Sequence, residues 1–284
     1  MKQCPETPAL EETESFSGHV WVEELPTGGE FRFQVSSAGL VTFATPERTY
    51  DSREAVPLPY WRAADAISTR LDRQVLQAAR SDPGAVTFCG VAPWNAGIAY
   101  PWDAVPAFVG VDVWDEATGS FLPPDRASSV FQRIGLSTLP AIEKELQTAH
   151  TDLTRFETAE AFPESAWRDG QAVGVLIRDK SGMRAQAWRR EPTPTASQPE
   201  ITQEPAATLA ESYVTTNRIE QTVAALRDSG QSVTVDGIRD RLIADIAREA
   251  YSELYSDGEF IASLSAFRSR VGERVQQHQF DTGE

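Results

Sequence analysis

Cysteine, histidine and lysine are all scarce in this chain. Two cysteines, Cys4 and Cys89, are too few for a disulfide framework and stand in no metal-binding spacing. Three histidines, His19, His150 and His278, are scattered without ligand spacing around them, which argues against a structural zinc site. No apolar run approaches the roughly 18 residues that a membrane-spanning helix needs. The opening residues lack the layout of a secretory signal, and the expectation is a cytoplasmic protein with no membrane partner. Among 26 basic residues only Lys2, Lys144 and Lys180 are lysines; set against 42 acidic residues they leave a net charge of −16.

Acidity with so little lysine is the composition of a protein adapted to a salt-rich cytoplasm, although ordinary acidic proteins share it. At low salt such a surface repels nucleic acid. Near-molar salt cuts the screening length to roughly 3 Å and takes most of the reach from that repulsion. The charge therefore neither excludes nor supports a nucleic-acid partner. What is present is globular: 284 residues, 40% apolar and 9% aromatic, enough for one large domain and a small one.

Residues 1–17 are polar and acidic and predict a flexible leader. Alternation in Val20-Trp21-Val22, Phe31–Val35 and Leu40–Phe43 predicts three antiparallel strands with turns at Pro26–Gly29 and Ser36–Gly39. Tyr60, Ala64, Ile67, Leu71, Val75 and Ala78 share one face of a predicted helix. Strands are predicted at Ala85–Cys89 and Ala107–Trp114, a helix near 125–134, and a hairpin from Ala172–Arg178 to Arg184–Arg189. Residues 191–207 hold four prolines and few apolar groups, the clearest linker in the chain. A helical pattern occupies 208–276, with a tail at 277–284. Asn217 with Glu220 is placed to cap one helix, Asp236 a second that Asp257-Gly258 stops, and Phe260 to Val275 form the stripe of a third.

Five short segments carry the functional reading. They are Glu24-Leu25-Pro26-Thr27-Gly28 before Phe31-Arg32-Phe33, Phe88-Cys89-Gly90-Val91 with Tyr100 beyond, Phe108–Trp114 with Asp112, Val173-Gly174-Val175-Leu176-Ile177-Arg178, and Arg184-Ala185-Gln186. In order and spacing they resemble the motifs of the RNA ligase family of covalent nucleotidyltransferases, in its phage-type RNA ligase 2 subgroup. The resemblance spans about residues 18 to 276 and extends into the helical part at Thr216–Leu226.

It implies an α+β fold: an antiparallel-sheet nucleotidyltransferase (adenylation) domain over 18–190, then a small all-α C-terminal domain over 208–276. Its motifs would surround an ATP pocket, with ATP and Mg²⁺ as cofactors if activity is retained. RNA or nucleic-acid ends, or a protein, would be the partners.

The residues that would do the chemistry are replaced. A ligase lysine attacks the α-phosphate of ATP; Leu25 stands in its place, and sliding by one residue offers only Glu24. Thr27 replaces an aspartate, Gly28 is kept, and Val91 and Val173 replace two glutamates, the latter a metal ligand. Gln186 replaces a lysine that would offset phosphate charge. Gly90, Phe108, Asp112, Gly174, Arg178 and Arg184 remain as pocket positions, and Arg48 corresponds to an arginine that positions ribose or phosphate.

Each has a plainer reading as well: Asp112 a capping residue on a core strand, Arg48 a surface arginine, Lys180 a solvated turn residue. The resemblance therefore implies a catalytically degenerate ligase fold with weak or absent, Mg²⁺-insensitive ATP binding. The alternatives are an active ligase with displaced groups and an interaction module unrelated to ligation. Convergence of Leu25, Val91, Val173 and Gln186 on one place in the fold separates the last from the other two.

Overall fold

The computed structural model describes residues 1–13, 15–79, 82–98, 100–189 and 205–282. The chain is α+β and divides into two compact units, one formed by Met1–Pro93 with Ile98–Pro192, the other by Trp94–Gly97 with Thr193–Glu284. The linker expected over 191–207 lies outside the described residues as far as residue 204.

The first unit is built on two antiparallel sheets. Its strands are β1 (His19–Leu25), β2 (Gly28–Val35), β3 (Val41–Ala44), β4 (Thr49–Tyr50), β5 (Val86–Pro93), β6 (Val109–Asp115), β7 (Ser120–Phe121), β8 (Ala141–Gln147), β9 (Gly174–Asp179) and β10 (Arg184–Trp188). Six of them form one sheet in the order β4-β3-β2-β5-β6-β7, and four the other in the order β10-β9-β1-β8.

The alternation of Val20–Phe33 predicts adjacent strands across the Pro26–Gly29 turn, and here the structure differs. β1 pairs with β9 from Val20↔Asp179 to Leu25↔Gly174, whereas β2 pairs with β3 and β5. Glycine at 28 permits this crossing between sheets, because a Cβ there would lie 2.3 Å from the Ala92 carbonyl oxygen of β5.

Period-two alternation gives each sheet two faces. One face of the six-stranded sheet is aromatic. Phe31 stacks on Phe43 and Tyr60, Phe33 on Phe88, and Phe131 meets Phe88 edge-on at 5.7 Å. Phe131 comes from α3 (Pro124–Arg133), which packs with α1 (Trp61–Arg70) and α2 (Arg73–Ala79) in this unit. The single helix predicted from Tyr60 to Ala78 breaks at Leu71, whose backbone is extended. Asp72 then starts a new helix, its Oδ1 accepting from Val75 N at 3.0 Å. One face of the four-stranded sheet buries Val20, Val22, Val175 and Ile177 with Phe156 and Phe162, and Leu10 and Phe16 pack against this group.

Residues 1–17 are thus not the flexible leader that their polarity predicts. Leu10 and Phe16 are drawn onto an apolar face, Pro8 O accepts from Gln186 N at 2.9 Å, and Ser17 N donates to Asp179 Oδ2 at 3.3 Å.

The second unit is helical: α4 (Ala206–Tyr213), α5 (Thr216–Asp228), α6 (Val235–Glu249), α7 (Tyr251–Leu254) and α8 (Leu264–Thr282). Ile219, Leu226, Ile238, Leu242, Ile246, Phe267, Val271 and Val275 are buried, as the stripes predict. The caps differ by two residues from those expected. Thr215 Oγ1 accepts from Arg218 N at 3.3 Å and Thr234 Oγ1 from Gly237 N at 3.0 Å, so threonine hydroxyls cap α5 and α6 in place of Asn217 and Asp236.

Asp257-Gly258 is a hairpin turn rather than a helix stop. Both residues have positive φ, 51° and 80°, the geometry that a two-residue turn between β11 (Tyr255–Ser256) and β12 (Glu259–Phe260) requires. Residues 277–282, expected in a tail, continue α8. Among the described residues no helix is long and apolar enough to cross a membrane.

Candidate functional site

The second faces of the two sheets meet inside the first unit. Glu23 and Leu25 of β1 stand opposite Leu176 and Gly174 of β9, while Arg184, Gln186 and Trp188 of β10 stand opposite Arg178, Leu176 and Gly174. All of these share one face of the four-stranded sheet. Facing them from the six-stranded sheet are Val91 of β5 and Val109, Val111 and Asp112 of β6. The space between is divided into an apolar part and a charged part.

In the apolar part Leu25, Val109, Val173 and Leu176 are buried with Tyr100 and Trp167, and Val91, Val111 and Trp188 pack against them. Leu25 is 8% exposed and Val173 1%. Gly174 keeps Trp188 in place: a Cβ there would lie 2.5 Å from two carbons of the indole ring and 3.0 Å from Leu25 O. Gly174→Ala is therefore expected to overpack the cluster and cost about 1–3 kcal/mol. Urea unfolding followed by tryptophan fluorescence measures it; an unchanged midpoint would contradict the packing described.

In the charged part four side chains neutralise one another out of water. Arg178 Nε donates to Glu23 Oε2 at 2.8 Å, and its Nη1 donates to Val111 O at 2.8 Å and to Asp112 Oδ1 at 2.9 Å. Arg184 grips Asp112 in a fork, Nη1 to Oδ2 at 2.9 Å and Nη2 to Oδ1 at 2.7 Å. Glu23, Asp112 and Arg178 are 1%, 2% and 3% exposed. Burial alone would raise the Asp112 carboxyl, but Arg178 and Arg184 together hold it below the ordinary aspartate range. Burial likewise works against the Arg178 charge, and Glu23 and Asp112 outweigh it, so the guanidinium is held more firmly protonated. For Glu23 burial prevails over the pull of Arg178, and its carboxyl is pushed up. Beside this quartet opens a cleft of about 300 Å³, lined by Pro5, Trp114, Phe121, Lys180 and Arg184 among others.

The positions singled out in the sequence are thus distributed unevenly. Leu25, Val91, Val173 and Gly174 meet in the apolar part; Asp112, Arg178 and Arg184 form the charged part, and Gln186 lies on the same sheet face between Arg184 and Trp188. Thr27 is buried between β1 and β2, and Gly28 is pressed on β5. Phe108 and Gly90 belong to the opposite side. Val109 faces the inter-sheet space, so its neighbour Phe108 points away, edge-on to Phe33 at 5.7 Å, with its ring 2.4 Å from where a Gly90 Cβ would be. Phe108 is therefore no wall of the space between the sheets. Arg48 is exposed, its guanidinium 4.8 Å from the Tyr50 ring centre, and takes no part.

Glu23, Trp188 and Trp167 were not singled out. The available signal for Glu23 was a pair of glutamates inside an otherwise apolar strand, which forces at least one carboxylate into a buried layer. Both are buried; Glu24 faces the other way and accepts from Ser165 Oγ at 2.5 Å and Ala166 N at 2.7 Å.

The residues present do not fit the ATP and Mg²⁺ that the sequence resemblance implies. A divalent ion needs free carboxylate oxygens, yet both oxygens of Asp112 are held by arginines. Valines occupy the positions expected to carry the glutamates. Nor does a lysine reach the cluster. Lys180 bridges Glu145 at 2.7 Å with its side chain half in water. Lys144 and Lys2 lie over the rings of Trp21 and Trp114 at 5.0 and 4.3 Å.

No protein-family model matches the chain, and no curated protein matches it. Among solved structures it is similar to an archaeal ATP-dependent RNA ligase, at 14% identity and a TM-score of 0.48, over 100% of this chain and 74% of that one. It is also similar to a Naegleria gruberi RNA ligase variant with ATP and Mn, at 13% identity and a TM-score of 0.48, over 65% of this chain and 55% of that one. A likeness this remote carries no inference about activity or substrate.

Proposed function

We propose that the first unit is a nucleotidyltransferase domain of the RNA ligase kind that no longer forms a lysyl–nucleotide adduct, and that the chain acts by binding. One observation carries this reading. Leu25, Val91 and Val173, the positions assigned to the nucleophile and two carboxylates, come from three distant stretches of sequence and pack into one apolar cluster. An interaction module unrelated to ligases gives no reason for those three to meet.

Two opposed antiparallel sheets supply the scaffold that the reading needs. The ligand class it favours is a nucleotide or a nucleic-acid end, presented to the cleft beside Arg184 and Lys180. The charge of −16 is taken as adaptation to a salt-rich cytoplasm, where screening lets an anion approach an acidic protein.

The test is incubation of the purified chain, in near-molar salt, with α-labelled ATP and Mg²⁺ or Mn²⁺. No acid-labile, alkali-stable adduct is expected. A labelled protein would overturn the reading in favour of an active ligase with displaced groups, and Lys144→Ala and Lys180→Ala would then locate the nucleophile.

A further inference from the structure

Cys4 and Cys89 stand 85 positions apart in sequence, and the first nine residues bring them together. Lys2 N donates to Thr87 Oγ1 at 3.3 Å, Arg32 Nη1 donates to Lys2 O at 3.0 Å, and Lys2 Nζ lies over the Trp114 ring. These contacts lay the segment on the inter-sheet face of β5, which presents Thr87 and then, two residues on, Cys89. Cys4 follows Lys2 by the same interval, and its thiol is a direct neighbour of the Cys89 thiol. Cys89 is 1% exposed, Cys4 is half-buried, and both are free thiols. The segment then passes Pro5, which lines the cleft. It ends on the other sheet, where Pro8 O accepts from Gln186 N and Ala9 bridges Gln186 in parallel. Residues 1–9 therefore run from one sheet to the other across the space that holds the charge quartet.

We propose that Cys4 and Cys89 are a thiol pair whose oxidation to a disulfide latches this segment across the inter-sheet cleft. The reduced hold is a handful of hydrogen bonds and one cation–π contact, each of modest net strength, so the segment opens locally. While it is closed, burial pushes the Cys4 thiol up, with Cys89, Glu30 and Asp112 adding to the effect, and the thiol stays protonated and slow to react.

Once lifted, Cys4 ionises in water and its thiolate attacks a low-molecular-weight disulfide, forming a mixed disulfide and releasing one thiolate. On reclosure Cys89 loses its proton and attacks the Cys4 sulfur, expelling the second thiolate. The reagent disulfide is reduced to two thiols, which take up the two protons, and the protein pair is oxidised to one disulfide. The inference rests on the position of the segment and stands whether or not the proposed function does.

The experiment is titration of the full chain with glutathione disulfide, read by intact mass and by hydrogen exchange at the Gln186 amide. The expected product is a monomer lighter by two hydrogens, with peptides containing Cys4 and Cys89 crosslinked, and Gln186 exchange slowed at least tenfold. Cys4→Ser, at a half-buried position, is expected to fold, to form no crosslink and to show no slowing. Mixed glutathione adducts or intermolecular dimers as the only products would overturn the pairing. A crosslinked monomer with unchanged Gln186 exchange would overturn the latch.

Discussion

Asp112→Ala is expected to lower unfolding stability by about 3–5 kcal/mol, the range for removing one partner from a buried ion pair. The carboxylate receives three hydrogen bonds from Arg178 and Arg184 at 2.7–2.9 Å and is 2% exposed. Its loss leaves two buried guanidinium groups facing only Glu23, which reaches Arg178 but is not a partner of Arg184 in the quartet. The cost comes chiefly from that uncompensated charge, since an intact buried pair is itself worth little relative to an apolar replacement. A denaturant midpoint within error of the native chain would show that water reaches the quartet.

The same residue gives a dependence on pH with a definite sign. Because the folded-state pKa of Asp112 is depressed, its contribution is present in full above the ordinary aspartate value of about 3.9 and is lost as pH falls below it. Asp112→Asn should therefore flatten the acid side of the stability profile as well as lower it. Glu23 acts in the opposite sense. Its folded pKa is raised, so it removes stability as pH rises above the ordinary glutamate value of about 4.3, and Glu23→Gln should flatten that limb.

Leu25→Lys, the substitution that would put an amine where the ligase resemblance expects one, should not create a nucleophile. Leu25 is surrounded by Val173, Leu176, Val109, Tyr100 and Trp167. An ammonium there loses its hydration, at an effective cost of several kcal/mol, and the lysine escapes by giving up its proton or by opening the cluster. The expected outcome is a strongly lowered thermal midpoint and no labelled adduct. Leu25→Met keeps the volume and should cost less than about 1.5 kcal/mol, which separates the charge from a general intolerance of change. If Leu25→Lys were as stable as the native chain and took up label from ATP, the cluster would have to be an open pocket.

Much of the architecture could be read from residue order because it is local. Phe31–Val35, Leu40–Phe43 and Val173–Arg178 alternate cleanly and are strands, or parts of strands, in the fold. The stripes ending at Phe267, Val271 and Val275 are buried helix faces. What escaped detection is set by distant contacts. β8 reads Ala-Ile-Glu-Lys-Glu-Leu-Gln, with its middle exposed, and becomes a strand only because β1 offers an edge. The crossing of β1 and β2 into separate sheets is decided where Gly28 meets Ala92, 64 residues away.

For the site, the grouping of Leu25, Val91 and Val173 came from family resemblance rather than periodicity. Arginine and aspartate at 178, 184 and 112 could be named as pocket residues, but that they satisfy one another could not. Which side of a strand Phe108 occupies depends on where β6 begins, and element ends are the least legible part of a sequence.

The contact of Pro8 and Ala9 with Gln186 also bears on how copies of this chain meet. β10 is an outer strand of its sheet, and an outer strand with unpaired amides is a template on which another chain can add. The Gln186 amide is already occupied from within the same molecule, so the segment that spans the cleft also guards the sheet against self-association. Whatever draws that segment away to admit a ligand uncovers the strand at the same moment, and access to the cleft and colloidal stability are thereby tied to a single movement.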